Sequence, residues 1–303
     1  MLKPKHGLTP VFLIFASLAL MADAGAKARV FACEPEWAAL AKAVGGGEIE
    51  AQSAVTPEQD PHQIQARPSL VASLRRADML ICTGAGLEVG WLPALLKSAK
   101  NPKVIPGMPG YFLASSYVRL KEVPRSLDRA LGDVHPEGNP HIHTDPANLE
   151  AVAKALSESL GEIDPARQGY YARRFEAFRT RLSQEASRLK EKAQPLAGQP
   201  VLEAHKLFVY LISWLEMKEV GVLEPKPGVP PTVKDLQSLA ETARAYPQAL
   251  LLLAPYNDPK PAIWLAQHSP VKLVHLPLSP EPTEEGLFSW LETMVNKLLE
   301  AKK

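Results

Sequence analysis

Arg29-Val30-Phe31-Ala32-Cys33-Glu34-Pro35-Glu36-Trp37-Ala38-Ala39-Leu40-Ala41-Lys42-Ala43-Val44-Gly45-Gly46-Gly47 is the stretch from which the fold reads. Residues 28–33 are strand-like, and residues 34–44 carry a helical pattern closed by three glycines. The plan then repeats. Strands are expected at 48–53, 78–82 and 104–105, and helices at 67–76 and 88–98. Alternation of this kind implies a mostly parallel sheet covered by helices. Residues 106–140 lack clear periodicity and are rich in Gly and Pro; long irregular stretches in compact domains are often functional.

A helix over 147–160 follows. From Asp164-Pro165 to about Ala193, Tyr170, Tyr171, Phe175, Phe178, Leu182 and Leu189 recur at helical spacing. A helix of that length runs about 43 Å at 1.5 Å per residue. It reads as a rigid connector between two lobes, and the aromatics keep no sustained heptad that would make it a coiled-coil arm. Strands then recur at 200–203, 218–222, 249–254 and 271–276, with helices at 206–216, 232–245, 259–268 and 284–301. The expected fold is α/β: two pseudo-symmetric lobes with mostly parallel sheets, joined by one long linking helix. The divisions are 1–26 signal peptide, 27–164 N-terminal lobe, 165–194 linking helix and 195–303 C-terminal lobe.

The signal-peptide reading rests on Lys3 and Lys5, the apolar run Val11–Met21, and the small residues of Ala22-Asp23-Ala24 and Ala24-Gly25-Ala26. The run is shorter than the roughly 20 residues a spanning helix needs. No cysteine follows the cleavage site, so a lipoprotein is not expected; a soluble, exported, periplasmic chain is. The net charge of +1 over 303 residues and the lack of a basic stripe argue against a nucleic-acid partner. Export also bears on Cys33 and Cys82, which end strands one and three. Such strands are commonly neighbours in a doubly wound sheet, so a disulfide or two buried thiols are both open.

The chemistry concentrates in His135-Pro136-Glu137-Gly138-Asn139-Pro140-His141-Ile142-His143-Thr144-Asp145-Pro146, which holds three of the eight histidines. Asp145 and Pro146 suit a helix cap and first turn, so the imidazoles sit just ahead of a helix. His62, in Gln59-Asp60-Pro61-His62, and His205, after Pro200-Val201-Leu202, occupy similar strand-end settings. Any one histidine alone is an ordinary hydrogen-bonded residue. Together, His62, His141 and His205 are expected to converge on one borderline cation such as Zn²⁺ in the cleft between lobes.

These pieces carry a resemblance. Asp60-Pro61-His62, Gly84-Ala85-Gly86-Leu87-Glu88 with Trp91-Leu92, Asn139-Pro140-His141 with Asp145-Pro146, and His205 followed by Phe208 and Tyr210 stand in one order across nearly the whole chain. The chain resembles the substrate-binding proteins of zinc and manganese ABC transporters, the ZnuA and TroA family (cluster A-I). Residues 221–231 look like one zinc-binding branch of it. The resemblance carries three metal ligands onto His62, His141 and His205. It also implies little hinge closure and delivery of the cation to a membrane permease. In manganese members an acid stands where His205 stands. Zn²⁺ is the expected cargo, the chain is expected to be a monomer, and no enzymatic activity is expected.

There are departures from the family pattern. The long His-rich loop before the second ligand is reduced to His135, here a candidate capture or exchange ligand at the cleft mouth. The late strand that supplies an Asp ligand in some members reads His275-Leu276-Pro277-Leu278 and has no acid. Asp258 is the substitute candidate, with a plain helix cap ahead of Pro259 as its alternative; water, Glu203 or Glu224 are others. His143 reads as auxiliary or solvent-facing, and His268 and His275 as structural. The rival readings are an exported zinc hydrolase, a manganese-binding member of the family and a metal-independent adhesin. No HExxH or nucleophile-elbow motif supports the hydrolase.

Overall fold

Four consecutive buried residues make up each of Met79–Cys82 and Leu250–Leu253. Unbroken apolar runs of this kind suit central strands of a parallel sheet covered on both faces. The computed structural model describes residues 26–124, 135–226 and 228–303. The signal-peptide reading, Ala26 apart, lies outside the described residues, as do residues 125–134 of the Gly/Pro-rich stretch.

The first sheet holds β1 (Ala28–Ala32), β2 (Ile49–Ser53), β3 (Met79–Cys82) and β4 (Tyr111–Leu113) in the order β2-β1-β3-β4. The second holds β5 (Pro200–Glu203), β6 (Lys218–Val222), β7 (Leu250–Leu253) and β8 (Lys272–His275) in the order β6-β5-β7-β8. Every pairing is parallel. The two sheets therefore share one topology, as the repeated sequence plan implies. Edge strand β2 alternates buried with more exposed positions, as a strand covered on one face should.

One expected strand is displaced. Val104 is buried, but it lies in a 3₁₀ turn opened by Pro102 and capped by the Asn101 side chain. The fourth strand is instead Tyr111–Leu113, too short to show a period in sequence.

Helices α1 (Pro35–Gly45), α2 (Pro68–Arg75), α3 (Leu92–Ala99) and α4 (Pro146–Ile163) belong to the first half. The connector α5 (Gln168–Lys192) has 25 residues, about 37 Å; residues 165–167 form a separate 3₁₀ turn. It buries Tyr171, Phe175, Phe178, Leu182 and Leu189 along one stripe. The second half adds α6 (Val209–Trp214), α7 (Val233–Arg244), α8 (Pro259–His268) and α9 (Glu284–Lys302).

The largest apolar core runs without a break from Val30 and Trp37 through Phe175 and Phe178 to Leu250 and Leu291. Helix α9 packs on α1 as well as on α5, so the last helix reaches back to the first half. Polar contacts follow the same path. Arg174 donates to Ala43 O at 2.7 Å and pairs with Glu284 at 2.8 Å, and Lys42 donates to Pro282 O at 2.6 Å. Core and polar links together oppose a wide opening of the two lobes.

Cys33 and Cys82 form a disulfide with Cα atoms 4.8 Å apart. It joins the ends of neighbouring β1 and β3. With its ends 49 positions apart in sequence, chain entropy gives it about 4 kcal/mol. The double substitution Cys33→Ala/Cys82→Ala is expected to cost about 2–4 kcal/mol in urea unfolding. An unchanged midpoint with an unchanged slope would show that the bridge adds no stability.

Candidate metal centre

Parallel register sets the first half of the site. Glu203 of β5 stands opposite Val222 of β6. Two residues on from each pair member are His205 and Glu224, so the two side chains leave the sheet side by side. Glu224 Oε2 lies 2.7 Å from His205 Nδ1 and also accepts from Gly228 N at 2.9 Å. His62 leaves the loop after β2 in the same manner. Asp60 Oδ1 accepts from His62 N at 2.9 Å and meets its Nδ1 at 2.8 Å. Trp91 pins that loop by donating Nε1–H to Pro61 O at 2.9 Å. Burial pushes the Asp60 carboxyl up, but the hydrogen bonds from His62 outweigh it and leave it below the usual carboxylate range. In both imidazoles a carboxylate accepts a hydrogen bond from Nδ1–H, so Nε2 presents its lone pair to the cleft.

His141 lies at the floor. Asn139 Oδ1 accepts its backbone N–H at 3.0 Å, and Asn139 is itself tied to the second half through Lys206 O at 2.8 Å. Tyr210 donates its hydroxyl to Asn139 O at 2.8 Å. As the sequence suggested, Asp145 caps α4, accepting from Ala147 N at 2.9 Å, with Pro146 next to it. Both ring nitrogens of His141 are buried and have no hydrogen-bond partner among the described residues. Burial, followed by the charges His62 and His205 would carry, holds its pKa well below the ordinary imidazole value. A neutral, desolvated imidazole with no partner is suited to a metal.

The structure brings His62, His141 and His205 together. Their ring centroids are 5.8 Å (His62–His141), 6.2 Å (His62–His205) and 6.4 Å (His141–His205) apart. Zn–N bonds of about 2.0–2.1 Å in a tetrahedron put imidazole centroids about 5.2 Å apart. Shifts of about an ångström, within side-chain reach, bring the three rings to one ion.

Asp258 is not drawn in. It is exposed, and its Oδ1 accepts from Lys260 N at 3.1 Å, so it serves as the cap of α8. Pro259 opens that helix, and the cap turns the carboxylate back on the first turn. The carboxylates at the imidazoles are Asp60 and Glu224. Glu203 is buried, accepts from Phe208 N at 2.6 Å and is pushed up to about 8 by burial. His143 is buried rather than solvent-facing. Its Nε2 is 2.9 Å from Leu278 O, its ring stacks on Trp290, and its Nδ1 is 3.3 Å from Glu36 Oε1 without hydrogen-bond geometry. His268 stacks on Trp264 and bonds its carbonyl, a structural role. The sequence reading gave no role to Glu36 and Tyr256, which put buried, unpartnered oxygens near the floor. The Tyr256 hydroxyl is held well above its ordinary pKa by burial, then by Asp60 and Glu36.

Comparison with known proteins fits this geometry. The model of the family described as "Zinc-uptake complex component A periplasmic" (ZnuA) matches residues 30–301. The metal ABC transporter substrate-binding lipoprotein SloC of Streptococcus mutans is 24% identical over 229 residues, covering 73% of this chain and 71% of its own. The manganese ABC transporter substrate-binding lipoprotein PsaA of Streptococcus anginosus is 22% identical over 270 residues, covering 88% and 84%. The crystal structure of ZnuA superposes with a TM-score of 0.72 at 19% identity, covering 89% of this chain and 99% of that one. The periplasmic zinc-binding protein TroA of Treponema pallidum gives 0.68 at 21%, covering 90% and 99%. At these identities the structures speak for the fold.

Two like α/β lobes with imidazoles converging between them define a substrate-binding protein for a metal cation. This chain belongs to the ZnuA family of metal ABC transporter substrate-binding proteins. Family members are transport proteins rather than enzymes and deliver their cation to a membrane permease. No helix among the described residues is long and apolar enough to cross a membrane.

Outer-shell carboxylates fix tautomer and orientation. Glu224→Gln and Asp60→Asn are each expected to weaken divalent-cation binding about 10–100-fold in calorimetry. Affinities equal to the native chain's would remove both carboxylates from the site.

Proposed function

We propose that the chain is an exported zinc carrier: His62, His141 and His205 hold Zn²⁺ between the lobes, and the loaded protein feeds an ABC permease. In this reading residues 1–26 are a cleaved signal peptide and the mature protein is a periplasmic monomer. Its lobes are 27–164 and 195–303, linked by 165–194. The observation that carries the zinc assignment is the donor set. Three imidazoles face one another, and the two nearest carboxylates are spent on their outer nitrogens. Neutral imidazole suits Zn²⁺, whereas Mn²⁺ suits carboxylate-rich oxygen sites. The orphaned His141 nitrogen that would meet the ion supplies a further drive, since an unsatisfied buried polar group costs about 1–3 kcal/mol.

The manganese reading is favoured by the names of several relatives; competition decides between the two. Calorimetry is expected to give one tight Zn²⁺ per chain, lost in His141→Ala. Mn²⁺ at comparable concentration is expected not to displace it. Displacement would overturn the zinc assignment, and unaltered binding by His141→Ala would overturn the site.

Protons compete for the ligand lone pairs, so affinity is expected to rise as pH increases through about 6.5, the ordinary imidazole range. His141, held neutral by burial, takes no part in that competition. A flat affinity from pH 5 to 8 would count against imidazole ligation.

A further inference from the structure

A fourth imidazole stands at the same point. His135 Nε2 is 3.3 Å from His62 Nε2, and the two ring centroids are 5.3 Å apart. Two nitrogens bound to one tetrahedral Zn²⁺ are separated by about 3.3–3.4 Å, and their rings by about 5.2 Å. The three pairs among His62, His141 and His205 lie farther from these values, at 5.8, 6.2 and 6.4 Å between centroids. The ring also lies near His141, whose pKa its charge would lower.

The segment carrying His135 is anchored. Gly138 N donates back to His135 O at 3.2 Å, and Asn139 N donates to Lys121 O at 2.8 Å. The imidazole rests on the Gly84-Ala85-Gly86 turn, where a Cβ on Gly86 would come within 3.5 Å of Nδ1. Gly86 has φ +81°, a conformation side chains rarely adopt. Glu88 holds that turn by accepting from Thr83 N at 2.7 Å and Gly84 N at 3.1 Å.

Tautomers agree as well. Asp60 accepts a hydrogen bond from Nδ1–H of His62, so His62 Nε2 is an acceptor, and the facing His135 Nε2 carries a proton when it donates to it. Neutral imidazole moves its proton freely between its two nitrogens through solvent. With the proton on Nδ1, His135 turns a second lone pair toward the same point.

We infer that His135 is the fourth ligand, so that the cation is held by four imidazoles, His62, His135, His141 and His205, with no protein carboxylate on the metal. This rests on the zinc-carrier reading above and sharpens it. An all-nitrogen tetrahedron leaves no water for catalysis and disfavours cations that want oxygen donors or six ligands. His135 is half-buried whereas His141 is fully buried, so the fourth ligand closes the site from its mouth.

The test is X-ray absorption at the zinc edge on the full chain loaded with one Zn²⁺, together with visible spectra of the Co²⁺ form. The native protein is expected to show four imidazoles and an intense tetrahedral Co²⁺ spectrum. His135→Ala and His135→Gln are expected to show three imidazoles plus an oxygen, a shifted Co²⁺ spectrum and a Zn²⁺ affinity lower by about 10–100-fold. His135→Gln keeps size and hydrogen bonding, and unchanged melting of both variants excludes misfolding. Three imidazoles in the native chain, or variants with native spectra and affinity, would overturn the fourth ligand and leave the carrier reading intact. A native chain that binds no Zn²⁺, or a His141→Ala variant that binds normally, would overturn both.

Discussion

A buried imidazole with neither nitrogen partnered is a free-energy cost that a fold does not carry without return. His141 is in that position, and the surrounding structure keeps it there. Asn139, Tyr210 and the cap of α4 fix its backbone. Burial, and then the charges that His62 and His205 from opposite halves of the chain would carry, disfavour its protonation. In the proposed carrier, a divalent cation would satisfy one of the two nitrogens that the protein leaves unmet. The site is thus destabilising by itself and stabilising when it holds its cargo, which ties affinity to the rigidity of everything around it.

That rigidity has a visible source. The two sheets have identical strand order, and each keeps a smaller apolar core of its own on one face while the other faces share the largest one. Helices α1, α5 and α9 weld the inner faces into one apolar body, and Arg174 and Lys42 add polar ties along the seam. Across the cleft, Asn139 bonds Lys206, and Lys206 pairs with Glu122. A site shared between lobes needs lobes that do not drift.

Much of this was legible in the residues. Continuous apolar runs announced the central strands, Gly and Pro marked the turns, and the aromatic stripe of 170–189 gave the connector. The three converging histidines were readable because each follows a strand end or precedes a helix cap. Less was legible where the information lies between segments. The fourth strand has only three residues, too few for a period. Glu224 is nineteen residues from His205, and only the β5–β6 register makes them neighbours. Asp258 sits at a strand end like the converging histidines, but its local cap captured the carboxylate. His143 stands two residues from His141 and looked peripheral; the following 3₁₀ turn swings it inward to Trp290. The Cys33–Cys82 pairing needed the knowledge that β1 and β3 touch, which topology supplies and spacing alone does not.

The burial gradient of the imidazoles has a kinetic meaning. His62, His135 and His205 keep partial exposure, and His141 is fully buried at the bottom. In the proposed carrier, an arriving hydrated ion would meet the outer rings while it still holds most of its water. It sheds that shell in instalments as nitrogen replaces oxygen, and no single step demands full dehydration. Departure could retrace the same staircase, one nitrogen at a time, without parting two lobes whose inner faces share one core.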